Sequence, residues 1–384
     1  MGGPLARPAE VPWKVDPGRP RIGLRAIAAL AAAIVLAGCV TTTPPGPSPS
    51  QVSPFPSPRS APSQAPELTP VPTAAINPAD FTPSVIAFFD SNHGLAGGAI
   101  GAGDAPSGAI ATTTDGGVTW TIRDGVPSPV SELAITGNEA WALIPCAENQ
   151  AGTCGTMLHS ADAGQTWDLF PTSGPVVPGA GAMSFVDAST GWAVGAAPDP
   201  NGTTGGMGHN RLLQTSDGGR TWTAGPIPCG PDWPDLVTVT FVDRQHGWAV
   251  CTGAGSGTMA PTQVLETMDG GASWTTRSSA SSFGGPVRLV GRPPSGPVDG
   301  AEFTRAGLGV LWQGRSGTER TRDGGQTWTA SGPARAEEEF VSSMSFVSEK
   351  TGFAVYSSTE MQAIVLGATD DGGDHWRIVQ SWAR

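Results

Sequence analysis

Six octapeptides in this chain each bring an aspartate, small flexible residues, hydroxyl side chains and a tryptophan together within eight positions. They are TTDGGVTW (Thr113 to Trp120), SADAGQTW (Ser160 to Trp167), TSDGGRTW (Thr215 to Trp222), TMDGGASW (Thr267 to Trp274), TRDGGQTW (Thr321 to Trp328) and TDDGGDHW (Thr369 to Trp376). A carboxylate flanked by hydroxyls is raw material for a cation site or an acid/base centre. Such chemistry needs Asp115, Asp162, Asp217, Asp269, Asp323 and Asp371 to converge. The same residues also suit a tight turn. Glycines reverse the chain at positive φ, the carboxylate accepts backbone N–H groups across the turn, and the tryptophan buries its ring on the returning strand. The turn reading accounts for every position of the motif. It assigns Trp120, Trp167, Trp222, Trp274, Trp328 and Trp376 to packing between neighbouring units.

The spacing of the octapeptides decides what must position them. Their tryptophans lie 47, 55, 52, 54 and 48 residues apart, with no helical pattern between them. A period near 50 residues is that of a propeller blade of four short strands. A second motif recurs between the turns, as in SFVDASTGWAVG (Ser184 to Gly195), TFVDRQHGWAVC (Thr240 to Cys251), SFVSEKTGFAVY (Ser345 to Tyr356) and AFFDSNHGLAGG (Ala87 to Gly98). LAITGNEAWALI (Leu133 to Ile144) follows it loosely, and in the fifth unit only AGLGVLWQ (Ala306 to Gln313) remains. Each joins two apolar strands through a polar turn, in which Asp90, Asp187 and Asp243, with His93 and His246, read as turn residues. The expectation is an all-β fold over residues 79–384, a six-bladed propeller with four antiparallel strands per blade. A seven-bladed ring is the alternative.

The octapeptides resemble the Asp-box, or bacterial neuraminidase, repeat S/T-x-D-x-G-x-T/S-W, with His375 standing where the pattern has Thr or Ser. Their alternation with FVDxxxGWAVG is similar to propellers of the photosystem II assembly and stability factor family, and to many secreted sialidase-like proteins. The first likeness implies a chaperone-like role in assembling membrane or envelope complexes. The sialidase likeness implies an arginine triad, a tyrosine nucleophile paired with a glutamate, an aspartate acid/base and an Arg-Ile-Pro motif. No Arg-Ile-Pro occurs, Tyr356 is the single tyrosine, and no glutamate is paired with it by spacing. Arg211, Arg288, Arg292, Arg315 and Arg335 supply a triad only if the fold gathers them.

In a four-stranded blade the turns between first and second and between third and fourth strands share one face. Here those turns are short and uniform. The loops of the opposite face run from RSGT (Arg315 to Thr318) to PDPNGTTGGMGHNR (Pro198 to Arg211). Binding residues sit on irregular loops held by rigid scaffolds, so this face holds the candidates. They are His209, Asn210 and Arg211, then Asp232, Trp233 and Asp235, then Arg288 and Arg292, then Arg335 with Glu338, and Tyr356. An exposed Trp233 among prolines and acids would suit a sugar or peptide.

Arg19, Arg21 and Arg25 precede an apolar run from Ala26 to Leu36 that ends in LAGC, which reads as a lipoprotein signal over residues 1–38 with lipidation at Cys39. Residues 39–78 are rich in Pro, Ser and Thr and read as a disordered tether. The formal net charge is −12, so nucleic acid is not an expected partner. In an exported chain the remaining cysteines suggest the disulfides Cys146 to Cys154 and Cys229 to Cys251. No metal or cofactor is expected. The functional expectation is an outward-facing, membrane-anchored, non-catalytic scaffold for a protein, peptide or glycan, with a sialidase-like or other glycoside hydrolase as the alternative.

Overall fold

The computed structural model describes residues 80–383, apart from segments 102–105, 145–155, 173–176, 197–209, 254–259, 281–297, 314–316 and 334–339. Twenty-four strands form six antiparallel sheets of four, each built from four consecutive strands. In the first blade these are β1 (Phe81–Phe88), β2 (Gly94–Ile100), β3 (Ser107–Thr113) and β4 (Thr121–Val126). The first strands of the other blades are β5 (Glu132–Thr136), β9 (Val177–Phe185), β13 (Asp235–Phe241), β17 (Gly300–Phe303) and β21 (Phe340–Phe346). These six pack on one another in order, and β21 returns to β1. The result is a six-bladed propeller, not a seven-bladed one. The signal and tether segments, 1–38 and 39–78, lie outside the described residues.

Because every sheet is one continuous stretch of chain, no exchanged strand closes the ring. Side chains do it instead. The Ser343 and Ser345 hydroxyls accept hydrogen bonds from Ile86 N and Phe88 N at 3.1 and 3.0 Å, and Phe88 stacks on Phe353 with ring centroids 3.6 Å apart.

The second strands, such as β6 (Glu139–Ile144), β10 (Gly191–Ala196), β14 (Gly247–Thr252), β18 (Gly309–Gln313) and β22 (Gly352–Ser358), are apolar and almost wholly buried, since a blade lies against each of their faces. Their Gly-Trp pairs build the seams. Gly191 pairs with Phe185 across the sheet, and a Cβ on Gly191 would come within 2.6 Å of that ring. The missing side chain lets the phenylalanine lie flat. Trp192 then reaches the next blade, where it stacks on Phe241 at 3.7 Å and donates its Nε1–H to Gly270 O at 3.2 Å. Phe241 in turn meets Trp274 of its own blade edge-on at 6.2 Å. The same three-ring ladder recurs with Trp141, Phe185 and Trp222 and with Trp248, Phe303 and Trp328. Large aromatic area buried in favoured geometries makes these ladders the main cement of the ring.

The fifth blade breaks the pattern. Val310 replaces the tryptophan, and the seam to the sixth blade adds polar links to its apolar packing: Arg320 donates to Gly372 O at 2.8 Å and to Asp374 at 2.6 Å, and Glu302 accepts from Phe346 N at 3.0 Å.

Candidate functional site

The turn face is where the sequence concentrates its carboxylates, and each is consumed locally. Asp217 Oδ1 accepts the Thr221 N–H at 2.9 Å and the Thr215 hydroxyl at 2.9 Å, while Oδ2 accepts the Thr221 hydroxyl at 2.6 Å. Thr215 Oγ1 takes the Gly219 N–H, and Trp222 donates its indole N–H to Gly219 O, both at 2.9 Å. Asp115, Asp162, Asp269 and Asp323 repeat this arrangement. At Asp371 the imidazole Nδ1 of His375 lies 2.6 Å from Oδ2, in the place of the missing hydroxyl. The glycines carry the positive φ that the turn demands, and Ala163, with φ of 56°, is forced into the same conformation.

These contacts set the acidities. The Thr119 and Ser273 hydroxyls, with the N–H groups beside them, hold Asp115 and Asp269 below the usual carboxylate range. Burial pushes Asp162, Asp217 and Asp323 upward, but the Thr166, Thr221 and Thr327 donors outweigh it and hold them low. A carboxylate that accepts three donors keeps little acceptor capacity and has no tendency to take up a proton at neutral pH. In the other short turns Asp90, Asp187 and Asp243 accept pairs of backbone N–H groups at 2.7 to 2.9 Å. Arg244 and Arg305 link Asp187 and Asp243 to the following blade.

On the loop face the sequence candidates are scattered. Asn210 is exposed and opens β11 (Asn210–Thr215); Arg211 follows it, half-buried, with no hydrogen-bond partner for Nε among the described residues. Asp232 is exposed and Asp235 half-buried at the start of β13. Trp233 is not an exposed platform: it packs against the core group containing Leu236, Cys229 and Cys251, and its Nε1 is buried without a partner among the described residues. The Cys229–Cys251 disulfide joins the proline-rich loop to β14 beside this packing. Tyr356 is 6% exposed in the core beside Val341, Ala354 and Val365. Its place in β22 buries it between blades. Cys39, Cys146, Cys154, His209, Arg288, Arg292, Arg315, Arg335 and Glu338 lie outside the described residues.

The feature missing from the sequence reading is the centre of the ring. The six first strands enclose a cavity of about 500 Å³, whose lining includes Ser184, Thr238, Thr240, Ser343, Ser345, Asn210, Asp299, Glu132 and Glu302. Neighbouring first strands do not hydrogen-bond through their backbones, so hydroxyls bridge them. Ser184 Oγ receives Phe241 N at 2.8 Å, as Ser345 receives Phe88 N. Glu302 stands in the same position relative to its phenylalanine as Ser184 and Ser345, and takes the same role. Aligning SF, TF, EF and SF in the repeats exposes this substitution. Burial in the body of the propeller pushes Glu132 up to about 7 and Glu302 to about 8, although the cavity keeps both carboxyls partly accessible. For Glu302 the Phe346 N–H offsets a little of that rise.

No family model matches this chain, and no curated protein matches its sequence. Solved structures do match. YCF48 bound to D1 peptide aligns at 16% identity over 78% of this chain and 82% of that one, with a TM-score of 0.42. A protein of unknown function from Dyadobacter fermentans aligns at 14% identity over 78% and 94%, with a TM-score of 0.45. Trypanosoma rangeli sialidase aligns at 15% identity over 76% of this chain and 54% of its own length, with a TM-score of 0.48. These are likenesses of chain fold, and none carries an activity or a partner across.

Proposed function

We propose that this chain is an outward-facing, lipid-anchored propeller that acts as a non-catalytic scaffold, binding a protein, peptide or glycan on its loop face. The observation that carries this reading is the fate of the reactive side chains. The six turn aspartates are engaged by donors of their own turns, and Tyr356 is packed into the core. What remains unspent lies on the loops and in the channel they surround. Lipidation at Cys39 and the tether of residues 39–78 would hold that face clear of the membrane.

One observation favours the rival reading, a glycoside hydrolase. Glu132 and Glu302 line one cavity, and a carboxyl with a raised pKa suits a general acid. Glycosidases, however, split their pair into one protonated and one ionised group. Here both are pushed the same way. The test is hydrolysis of fluorogenic sialosides and β-glucosides by the full chain. The scaffold reading expects no turnover above buffer; turnover abolished by Tyr356→Phe or Glu302→Gln would replace it with an enzyme.

A further inference from the structure

The wall of the central cavity carries one aromatic side chain that the blade repeat does not explain. Three residues after the glycine or alanine that begins the buried run of each second strand, the other blades place Gly97, Leu143, Val194, Val250 and Val355, whereas the fifth blade places Trp312. Gly300 stands opposite it on β17, and a Cβ there would come within 2.3 Å of the Trp312 ring. The missing side chain lets the indole lie across the first strand and reach the cavity. Among the described lining residues Trp312 is the one contributed by a second strand, and Ser342, Ser343 and Met344 of β21 continue the wall on the side it packs against. Trp312 is 8% exposed, and its Nε1 has no hydrogen-bond partner among the described residues. An indole N–H can only donate, so a leftover one in the interior lacks the acceptor that would offset its desolvation.

The rest of the wall narrows what that acceptor belongs to. A peptide strand would need a free backbone edge. The inner edges of the first strands are engaged by neighbouring blades: Ile86, Phe88 and Phe241 donate their N–H groups to Ser343, Ser345 and Ser184, Phe346 donates to Glu302, and Thr238 and Thr240 donate to Ala301 O. Each hydroxyl keeps a proton or a lone pair beyond these bonds, so the wall offers side-chain hydroxyls and one indole N–H. A cavity of about 500 Å³ suits a small organic ligand. The match to such a wall is a compact molecule that carries many hydroxyls of its own. We propose that the cavity binds a neutral saccharide of one or two pyranose rings, which accepts the Trp312 Nε1–H, exchanges hydrogen bonds with the serine and threonine hydroxyls and rests its C–H groups against Val85 and Met344. The proposal rests on reading the chain as a non-catalytic binding protein, selects the glycan among its ligands and puts the glycan inside the ring.

The experiment is calorimetric titration of the full chain with cellobiose, lactose and diacetylchitobiose, with sialyllactose as the charged counterpart of lactose. The expected result is saturable one-to-one binding of at least one neutral disaccharide, with no monosaccharide released on prolonged incubation. Trp312→Phe keeps the aromatic bulk and removes the donor, and should weaken binding about tenfold. Gly300→Ala drives a methyl into the indole and should weaken it at least as much. Circular dichroism checks the fold of both, and Trp312→Phe, the milder change, decides if Gly300→Ala unfolds. No saturable binding of any neutral disaccharide, an affinity unchanged in Trp312→Phe, or sialyllactose bound more tightly than lactose would each overturn the proposal. Absence of binding would leave the scaffold reading standing with a protein or peptide ligand. Monosaccharide release lost in Trp312→Phe would instead support the site and overturn the non-catalytic reading.

Discussion

The turn face and the channel hold the same functional group in opposite circumstances. At Asp217 a carboxylate meets two hydroxyls and a backbone N–H within 2.9 Å and is held acidic. At Glu132 no such donor offsets burial, and at Glu302 a single N–H offsets it only slightly. The first environment spends the carboxylate on folding. The second leaves its burial largely uncompensated, at a cost to the fold. A motif dense in chemical side chains is therefore spent on folding here, whereas two glutamates with no motif around them line the cavity.

The largest way to break this contrast is at the turn. Asp217→Ala removes three hydrogen bonds and strands the Thr221 and Thr215 donors, so it should destabilise the propeller by about 2–3 kcal/mol. Thermal unfolding monitored by tryptophan fluorescence checks it, and Trp222, which this turn holds at 1% exposure, should report the loss directly. An unchanged midpoint would mean that the turn glycines alone suffice.

The channel should respond in the opposite sense. The folded pKa of Glu302, about 8, lies above its ordinary value of 4.5. Its contribution to stability is thus full below about pH 4.5 and is lost as pH rises through 8. The turn aspartates, held low, contribute above their ordinary range and lose that contribution as pH falls. Together they place maximum stability near pH 5. Glu302→Gln should remove the alkaline loss, making the protein about 1–2 kcal/mol more stable than wild type at pH 8 and nearly equal to it at pH 5. A variant that loses stability in parallel with wild type between pH 5 and 8 would show that this carboxyl is not strained.

The smallest effect concerns the second turn. Ala163 has φ of 56° where the other five copies place glycine at 68 to 73°. Ala163→Gly should stabilise by about 0.5–1 kcal/mol, the relief of a left-handed alanine exceeding the added freedom of the unfolded chain. Equilibrium unfolding in urea resolves a change of that size, and destabilisation instead would show that the Ala163 methyl packs usefully.

How much of this was legible beforehand follows from where the information resides. The propeller was legible because six copies of one turn at a blade's period repeat the same local instruction, and the Gly-Trp dipeptides mark the buried second strands. The Cys229–Cys251 disulfide follows from cysteines at the same end of neighbouring strands. Trp233 misled, since prolines and acids around a tryptophan read as an exposed loop, while the core group it packs against is assembled from residues distant along the chain. Tyr356, a nucleophile only on the sialidase-like alternative, lies on a strand whose two covered faces were out of view in the sequence. The channel carboxyls were hardest to see. Glu132 and Glu302 are 170 residues apart, and one of them occupies a position that is serine or threonine in three other blades.

By itself, then, the sequence determined the blade period, the turn chemistry and the pairing of strands within each sheet, because these depend on contacts between residues close along the chain. Only the tertiary structure decided that the ring closes through Ser343, Ser345 and the Phe88–Phe353 stack, that Tyr356 is core, and that two glutamates face a common cavity. Those outcomes depend on desolvation, and desolvation is set by what the other blades place around a residue.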